Sequence, residues 1–141
     1  MTQQIYVLNG PNLNLLGTRE PEIYGHATLS DIENEMKAAA PSASLTFRQT
    51  NSEGELIDWV QEASKSADTL ILNAGAYTHT SIALHDALRA CEASIYEVHL
   101  SNPAARESFR ATNYVAPCAE ACIAGFGARG YLMALEAALK I

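Results

Sequence analysis

Positive charge is scarce in this chain: nine Lys and Arg stand against sixteen Asp and Glu, a formal charge of −7 at pH 7. Nucleic acids and anionic membrane surfaces both require a basic face, so this balance excludes them as expected partners and leaves a small molecule. Cysteine is sparse as well. Three is an odd count, and residues 1–4 lead straight into an apolar strand with no signal peptide, so the expectation is a cytosolic chain with reduced thiols. No apolar run approaches the 18 or so residues of a membrane-spanning helix. Low-complexity tracts and internal repeats are missing. So are the short-range metal signatures C-x-x-C and H-E-x-x-H.

What is present describes an ordinary globule, 48% hydrophobic and 18% charged over 141 residues. A chain of that length buries about 70% of its unfolded surface, and one core suffices, so residues 1–141 read as a single domain. Strand-like and helix-like stretches alternate. Residues 5–8 form an apolar strand. Thr28-Leu29-Ser30-Asp31 has the form of a capping box and starts a helix to about Ala40, which Pro41 ends. Residues 44–48 alternate as a strand, and Ser52 caps a helix whose Leu56, Ile57, Trp59 and Val60 make an apolar face. A buried strand over residues 69–72, a polar loop over 73–81 and a helix over 82–91 follow. Residues 94–98 form a fourth strand, 99–114 are mixed and polar with one helical turn, 122–124 form a short fifth strand, and 128–139 form a closing helix. Five strands alternating with helices predict an α/β fold, a doubly wound parallel sheet with right-handed crossovers. The usual order for such a sheet is 2-1-3-4-5, with ligands bound beyond the carboxyl ends of strands one and three.

The chemistry-bearing residues obey that rule. The loops leaving strands one, three and four hold Asn12, Arg19, Tyr24, Asn73, His79, His99, Ser101, Arg106 and Arg110, whereas the loops at the opposite end, residues 40–44 and 67–68, are chemically plain. Within the first of these loops, Gly17 and Gly25 bracket Arg19 and Tyr24, which suits a segment that swings over a site. His99 lies where strand four ends, and its near-neutral titration suits general acid or base work. A histidine packed in the core and satisfied by a backbone carbonyl is the alternative. Tyr24, with an ordinary pKa of about 10, can act as a base only if cations favour its phenolate. Arg19 and Arg106 could supply them; otherwise Tyr24 is a loop anchor.

Other motifs have simpler readings. Gly125-Phe126-Gly127-Ala128-Arg129-Gly130 satisfies the dinucleotide pattern G-x-G-x-x-G, but the second strand and acidic residue of that fingerprint do not follow it, so close packing of helix on strand explains it better. Cys118 and Cys122 read as buried small hydrophobes, and His26 and His85 as surface or packing residues. His79, His85 and His99 lack any ligand spacing, so no metal is expected.

Four blocks in order carry a resemblance. They are Asn9-Gly10-Pro11-Asn12-Leu13-Asn14-Leu15-Leu16-Gly17 through Arg19-Glu20-Pro21 and Tyr24-Gly25; Asn73-Ala74-Gly75-Ala76-Tyr77-Thr78-His79-Thr80-Ser81; Glu97-Val98-His99-Leu100-Ser101-Asn102 with Arg106-Glu107 and Phe109-Arg110; and Gly125-Phe126-Gly127 with Gly130-Tyr131. From end to end the chain resembles type II 3-dehydroquinate dehydratases. The resemblance implies a flavodoxin-like fold and a cofactor-free anti elimination of water from 3-dehydroquinate, through an enolate, to give 3-dehydroshikimate. Tyr24 matches the family's base, Arg19 its lid arginine, Arg106 a second cation, His99 the acid and Asn12 the group that holds the enolate. Asn73, His79 and Arg110 match contacts to substrate hydroxyls, Leu100 and Ser101 the carboxylate cradle, and Glu97 a residue that orients a histidine. Asp86 matches a residue that enters from a neighbouring subunit, which implies a homo-oligomer, usually a dodecamer built as four trimers. Two segments depart from the family pattern: Ala111-Thr112-Asn113 stands where many members have His-His-Ser, and Pro103-Ala104 replaces a branched residue and histidine.

Three rivals stand beside this reading. A flavodoxin would need a hydroxyl- and glycine-rich phosphate loop after strand one, where this chain has Pro11 and leucines. A phosphoacceptor receiver would need an aspartate where Asn73 stands. A non-catalytic relative that keeps the assembly is favoured only by the altered residues 103–113.

Overall fold

Strands β1 (Gln4–Asn9), β2 (Ser44–Gln49), β3 (Thr69–Asn73), β4 (Ser94–His99) and β5 (Ala121–Ala124) are interleaved with helices α1 (Pro21–Tyr24), α2 (Leu29–Ala39), α3 (Glu53–Ser66), α4 (Ile82–Arg89) and α5 (Arg129–Leu139). The computed structural model describes residues 2–18 and 20–141, with Tyr24 described in its backbone alone. All four strand pairings are parallel, in the order β2-β1-β3-β4-β5. This is the flavodoxin-like α/β sheet expected from the alternation of elements.

Local chemistry starts α2, α3 and α4 where the sequence places them. At α2 the Asp31 amide donates to Thr28 Oγ1 (3.1 Å) and the Thr28 amide donates back to Asp31 Oδ2 (3.0 Å), a reciprocal cap that holds the Asp31 carboxyl below its usual range. Ser52 and Ser81 accept from the third helical amides of α3 and α4. Side chains alternate across the sheet. Ile5, Val7 and Ile71 face Ile32 and Met36 of α2 and Tyr131 and Leu135 of α5, whereas Tyr6, Leu8, Leu70 and Leu72 face Leu56 and Val60 of α3 and Leu84 and Leu88 of α4. The central strands are buried on both faces, as a parallel sheet requires.

Several boundaries differ from those the sequence predicts. Asn9, Asn73 and His99 are strand residues, so the last position of each central strand already belongs to the polar end of the sheet. The polar stretch after β3 contains a 3-10 helix (Gly75–His79), and two more short turns, Pro103–Ala105 and Ser108–Ala111, replace the one expected after β4. The stretch after β1, read as a loop, contains the short helix α1, which Pro21 opens, since its missing N–H falls among the unsatisfied donors of a first turn. The G-x-G-x-x-G stretch does pack helix on strand: a β carbon at Gly130 would lie 3.4 Å from Val98 Cγ1 and 3.5 Å from Ile123 Cγ2.

Candidate active site

Close backbone approach at the carboxyl end of β1 and β3 builds the floor of a cleft. The Gly10 amide donates to the Asn73 carbonyl (2.8 Å). A β carbon on Gly10 would sit 2.3 Å from the Ala74 carbonyl oxygen, so only glycine fits. Beneath this junction a chain of side-chain hydrogen bonds ties β3, α5, β1 and β2 together. Asn73 Nδ2 donates to the Tyr131 hydroxyl (2.9 Å), which donates to Asn9 Oδ1 (2.6 Å), and Asn9 Nδ2 donates to the Arg48 carbonyl (3.0 Å). Burial pushes the Tyr131 hydroxyl well above its usual range, so it stays protonated and serves as the hinge of this chain. The Gly75 amide in turn donates to Asn73 Oδ1 (3.2 Å), so Asn73 reaches the cleft wall with one amide hydrogen left for a ligand.

The cleft brings together most of the residues singled out in the sequence. Asn12, Asn73, His79, His99, Leu100, Ser101, Arg106 and Arg110 all line it. Asn12 adopts a left-handed backbone (φ 68°), and its amide donates to Asn51 Oδ1 (3.0 Å), which turns the chain sharply after the strand. Glu97 lies fully buried behind His99. Asp86 is exposed on α4 and, among the described residues, does not line the cleft of its own chain. Arg19 and the Tyr24 side chain lie outside the described residues.

His99 holds the centre of the acid–base arrangement. Its Nε2 meets Glu97 Oε2 directly in a short hydrogen bond. Burial pushes the Glu97 carboxyl up, yet hydrogen bonds from His99, Asn113 and Cys122 and the His99 charge outweigh it, holding the group below its usual range and therefore anionic. An anionic acceptor at Nε2 fixes the proton there and leaves Nδ1 for the cleft. His79 is fixed by the same logic: its Nδ1 lies 2.7 Å from the Thr112 carbonyl, which can only accept, so Nδ1 carries the proton. The two imidazole rings lie 6.4 Å apart at 21°. Arg106 Nη1 donates to Ser101 Oγ (3.0 Å), and Arg110 Nε donates to Glu107 Oε1 (2.7 Å), 3.5 Å from Arg106 Nε. The hydrogen bond from Arg110 leads the causes that bring the Glu107 carboxyl down to about 2. Two guanidinium groups thus face the cleft and share one carboxylate at its rim.

A second hollow, about 410 Å³, lies behind residues 102–113 and meets the cleft at His99, Arg106 and Arg110. Cys122 lines it. The structure corrects the reading of Cys122 as a buried hydrophobe: it is exposed, and Cys118 is half-buried. The cluster that does form is Glu97, His99 and Cys122, with donor atoms within 4.8 Å of one another, but His99 Nε2 and Glu97 Oε2 are already committed to each other. His85 turns away, with Nδ1 2.7 Å from the Tyr114 carbonyl, and packs as expected.

Sequence reasoning missed Asn9, Asn51, Tyr131 and Asn113 as parts of the site. Tyr131 and Asn9 were visible only as motif letters, and Asn113 only as a departure.

The comparisons with known proteins bear on this geometry. A family described as dehydroquinase class II matches residues 3–139. A 3-dehydroquinate dehydratase of Hyphomonas neptunium is 63% identical over 141 residues, covering 100% of this chain and 96% of the relative. One of Phenylobacterium zucineum is 56% identical over 140 residues, covering 98% and 97%. Among solved structures, type II dehydroquinase from Propionibacterium acnes superposes with a TM-score of 0.95 at 39% identity, covering 100% of this chain and 99% of that one. A 3-dehydroquinate dehydratase-like protein from Bifidobacterium longum superposes with a TM-score of 0.71 at 28% identity, covering 99% and 97%.

Proposed function

Because this chain belongs to the class II dehydroquinase family, we propose that it removes water from 3-dehydroquinate to give 3-dehydroshikimate, a step of the shikimate pathway. The observation that carries the reading is the Glu97–His99 pair opening onto a cleft lined by Arg106 and Arg110. Residues 1–141 act as one catalytic domain.

The substrate is a β-hydroxy ketone, so elimination needs a base at the carbon beside the carbonyl, a place for the enolate charge, and an acid for the departing hydroxyl. Tyr24, as phenolate, takes the proton, and the cations Arg19 and Arg106 favour that phenolate. The electron pair moves to the carbonyl oxygen, and Asn12 holds the resulting enolate through a water. When the enolate collapses, the carbon–oxygen bond breaks and His99 delivers a proton from Nδ1, so the hydroxyl leaves as water. Glu97 stabilises the imidazolium that holds this proton. Leu100 and Ser101 cradle the substrate carboxylate, while Asn73, His79 and Arg110 grip its hydroxyls. Each step is a proton transfer or an electrostatic contact that these residues supply.

The chain works as a homo-oligomer, a dodecamer of four trimers in which Asp86 enters a neighbour's cleft. The exposure of Asp86 on α4 and of Ile82, Phe109 and Phe126 supports this assembly. Its location is the cytosol, a reading supported by the odd count of three cysteines in the sequence.

Appearance of the conjugated enone, followed by ultraviolet absorbance in wild type and Tyr24→Phe, tests the reading. Turnover that collapses in Tyr24→Phe supports it. A folded, oligomeric wild type that leaves 3-dehydroquinate unchanged would overturn it.

A further inference from the structure

The segment that departs from the family pattern is the one that grips both histidines of the cleft. The Thr112 carbonyl accepts the hydrogen bond from His79 Nδ1. One residue later, Asn113 Nδ2 donates to Glu97 Oε2 at 2.8 Å, onto the same oxygen that accepts His99 Nε2. One residue later still, the Tyr114 amide donates to the Thr78 carbonyl (2.8 Å), anchoring the segment beside the 3-10 turn that carries His79.

The orientation of the Asn113 amide follows from its partners. Its Oδ1 accepts from the amides of Val115 and Ala116, both at 2.8 Å. Two donors at one end of the group place the oxygen there and force the NH2 toward Glu97. The other carboxylate oxygen, Glu97 Oε1, is buried and, among the described residues, meets no hydrogen-bond partner within the usual geometry. The charge of Glu97 is therefore compensated mainly at Oε2, by two donors from two elements. Three groups face this carboxylate: His99 from β4, the Cys122 thiol from β5, and Asn113 from the loop. Cys122 cannot take over as a charged partner, since partial burial and Glu97 push its thiol up to about 12.

We propose that Asn113 is a positioning residue for the proton donor, its amide fixing the Glu97 carboxylate so that the carboxylate in turn fixes the charge and aim of His99. The proposal rests on the dehydratase reading in which His99 is the acid. A donor at this point stabilises the anion of Glu97, and a buried carboxylate that loses such a donor holds a proton more readily. His99 and Glu97 then titrate as a pair whose behaviour Asn113 sets.

Asn113→Asp separates this role from a merely structural one. The substitution keeps an acceptor for the amides of Val115 and Ala116, so the loop retains its anchor, but it turns the donor facing Glu97 into a second carboxylate. Two readouts are made on the assembled protein: the His99 titration by NMR of 13Cε1-labelled histidine, which needs no turnover, and the pH dependence of kcat and KM. The His99 midpoint is expected to move upward by about one pH unit, since two carboxylates now face the imidazole. The kcat at neutral pH is expected to fall roughly 10- to 100-fold with KM changed less than about twofold, and the deficit narrows as pH falls, because the introduced carboxyl group donates again once it is protonated. An unmoved His99 midpoint in a folded, assembled variant overturns the proposal, whatever the rate does. A moved midpoint in a protein whose wild type does not dehydrate 3-dehydroquinate supports the coupling and overturns the dehydratase reading instead.

Discussion

The two walls of the cleft are built by different means. The wall after β1, which reaches the cleft through Pro11, Asn12 and Leu13, belongs to a segment shaped, among its described residues, by backbone conformation: Asn12 and Glu20 have positive φ, as do Gly17 and Gly25, and Gly10 is pressed against Ala74. The wall after β4 is cross-braced by side chains instead. Arg106 bonds Ser101, Arg110 bonds Glu107, Asn113 bonds Glu97, and Thr112 bonds His79. A wall set by sharp backbone turns can change its aim through a few dihedral angles. A wall set by charge-assisted hydrogen bonds keeps its groups in place before substrate arrives. In the proposed reaction the segment after β1 carries the base and the wall after β4 the acid, so the two proton transfers fall to parts of the cleft that are built differently.

Substitutions in the two walls should therefore fail differently. The largest effect is expected from Tyr24→Phe, a kcat loss of roughly 100- to 10,000-fold with the fold intact, measured by enone absorbance. Next comes Glu97→Gln, which leaves His99 without its anion; kcat should drop about 10- to 100-fold while KM changes little, and an equal change in both would break the distinction between walls. Gly10→Ala should act on stability, lowering the unfolding free energy by about 1–3 kcal/mol in chemical denaturation, because its methyl group must displace the backbone of Ala74. An unchanged denaturation midpoint would show that the first wall yields more easily than its contacts imply.

The smallest effect is expected at Glu107, and it depends on pH. Its folded-state value lies near 2 against an ordinary 4.5, so the carboxylate favours the folded form above about 4.5, and this contribution disappears as pH falls through 2. Glu107→Gln should accordingly unfold at slightly lower temperature than wild type at neutral pH, with the two curves converging below pH 4.5. A difference that persists at pH 2 would assign the effect to something other than this charge.

The sheet order and the end of the sheet that carries the site were legible because they rest on periodicity and on the placement of loop chemistry, both local in sequence. The caps at Thr28 and Ser52 were legible for the same reason. The links that hold the site were not. Asn113 and Glu97 are 16 residues apart, and Tyr131 and Asn9 are 122 apart, with no period or spacing to signal either contact. Cys122 was misread because β5 is an edge strand: a short apolar run predicts burial only where neighbours cover both sides, and β5 pairs with β4 alone. The altered residues 111–113 looked like a loss by comparison of letters, whereas the structure gives them a carbonyl for His79 and an amide for Glu97.

The hydrogen-bonded chain under the cleft floor sets an order of events when the protein folds. Asn9 and Asn73 end the two innermost strands, yet the hydroxyl that joins them comes from α5, so the floor closes only after a contact of very long sequence separation has formed. Contacts of that kind are entropically expensive and form late. An intermediate in which β1 to β4 have assembled without α5 would hold two buried amides with an unmet partner and would bind substrate poorly, so recovery of ligand affinity on refolding reports the docking of the final helix.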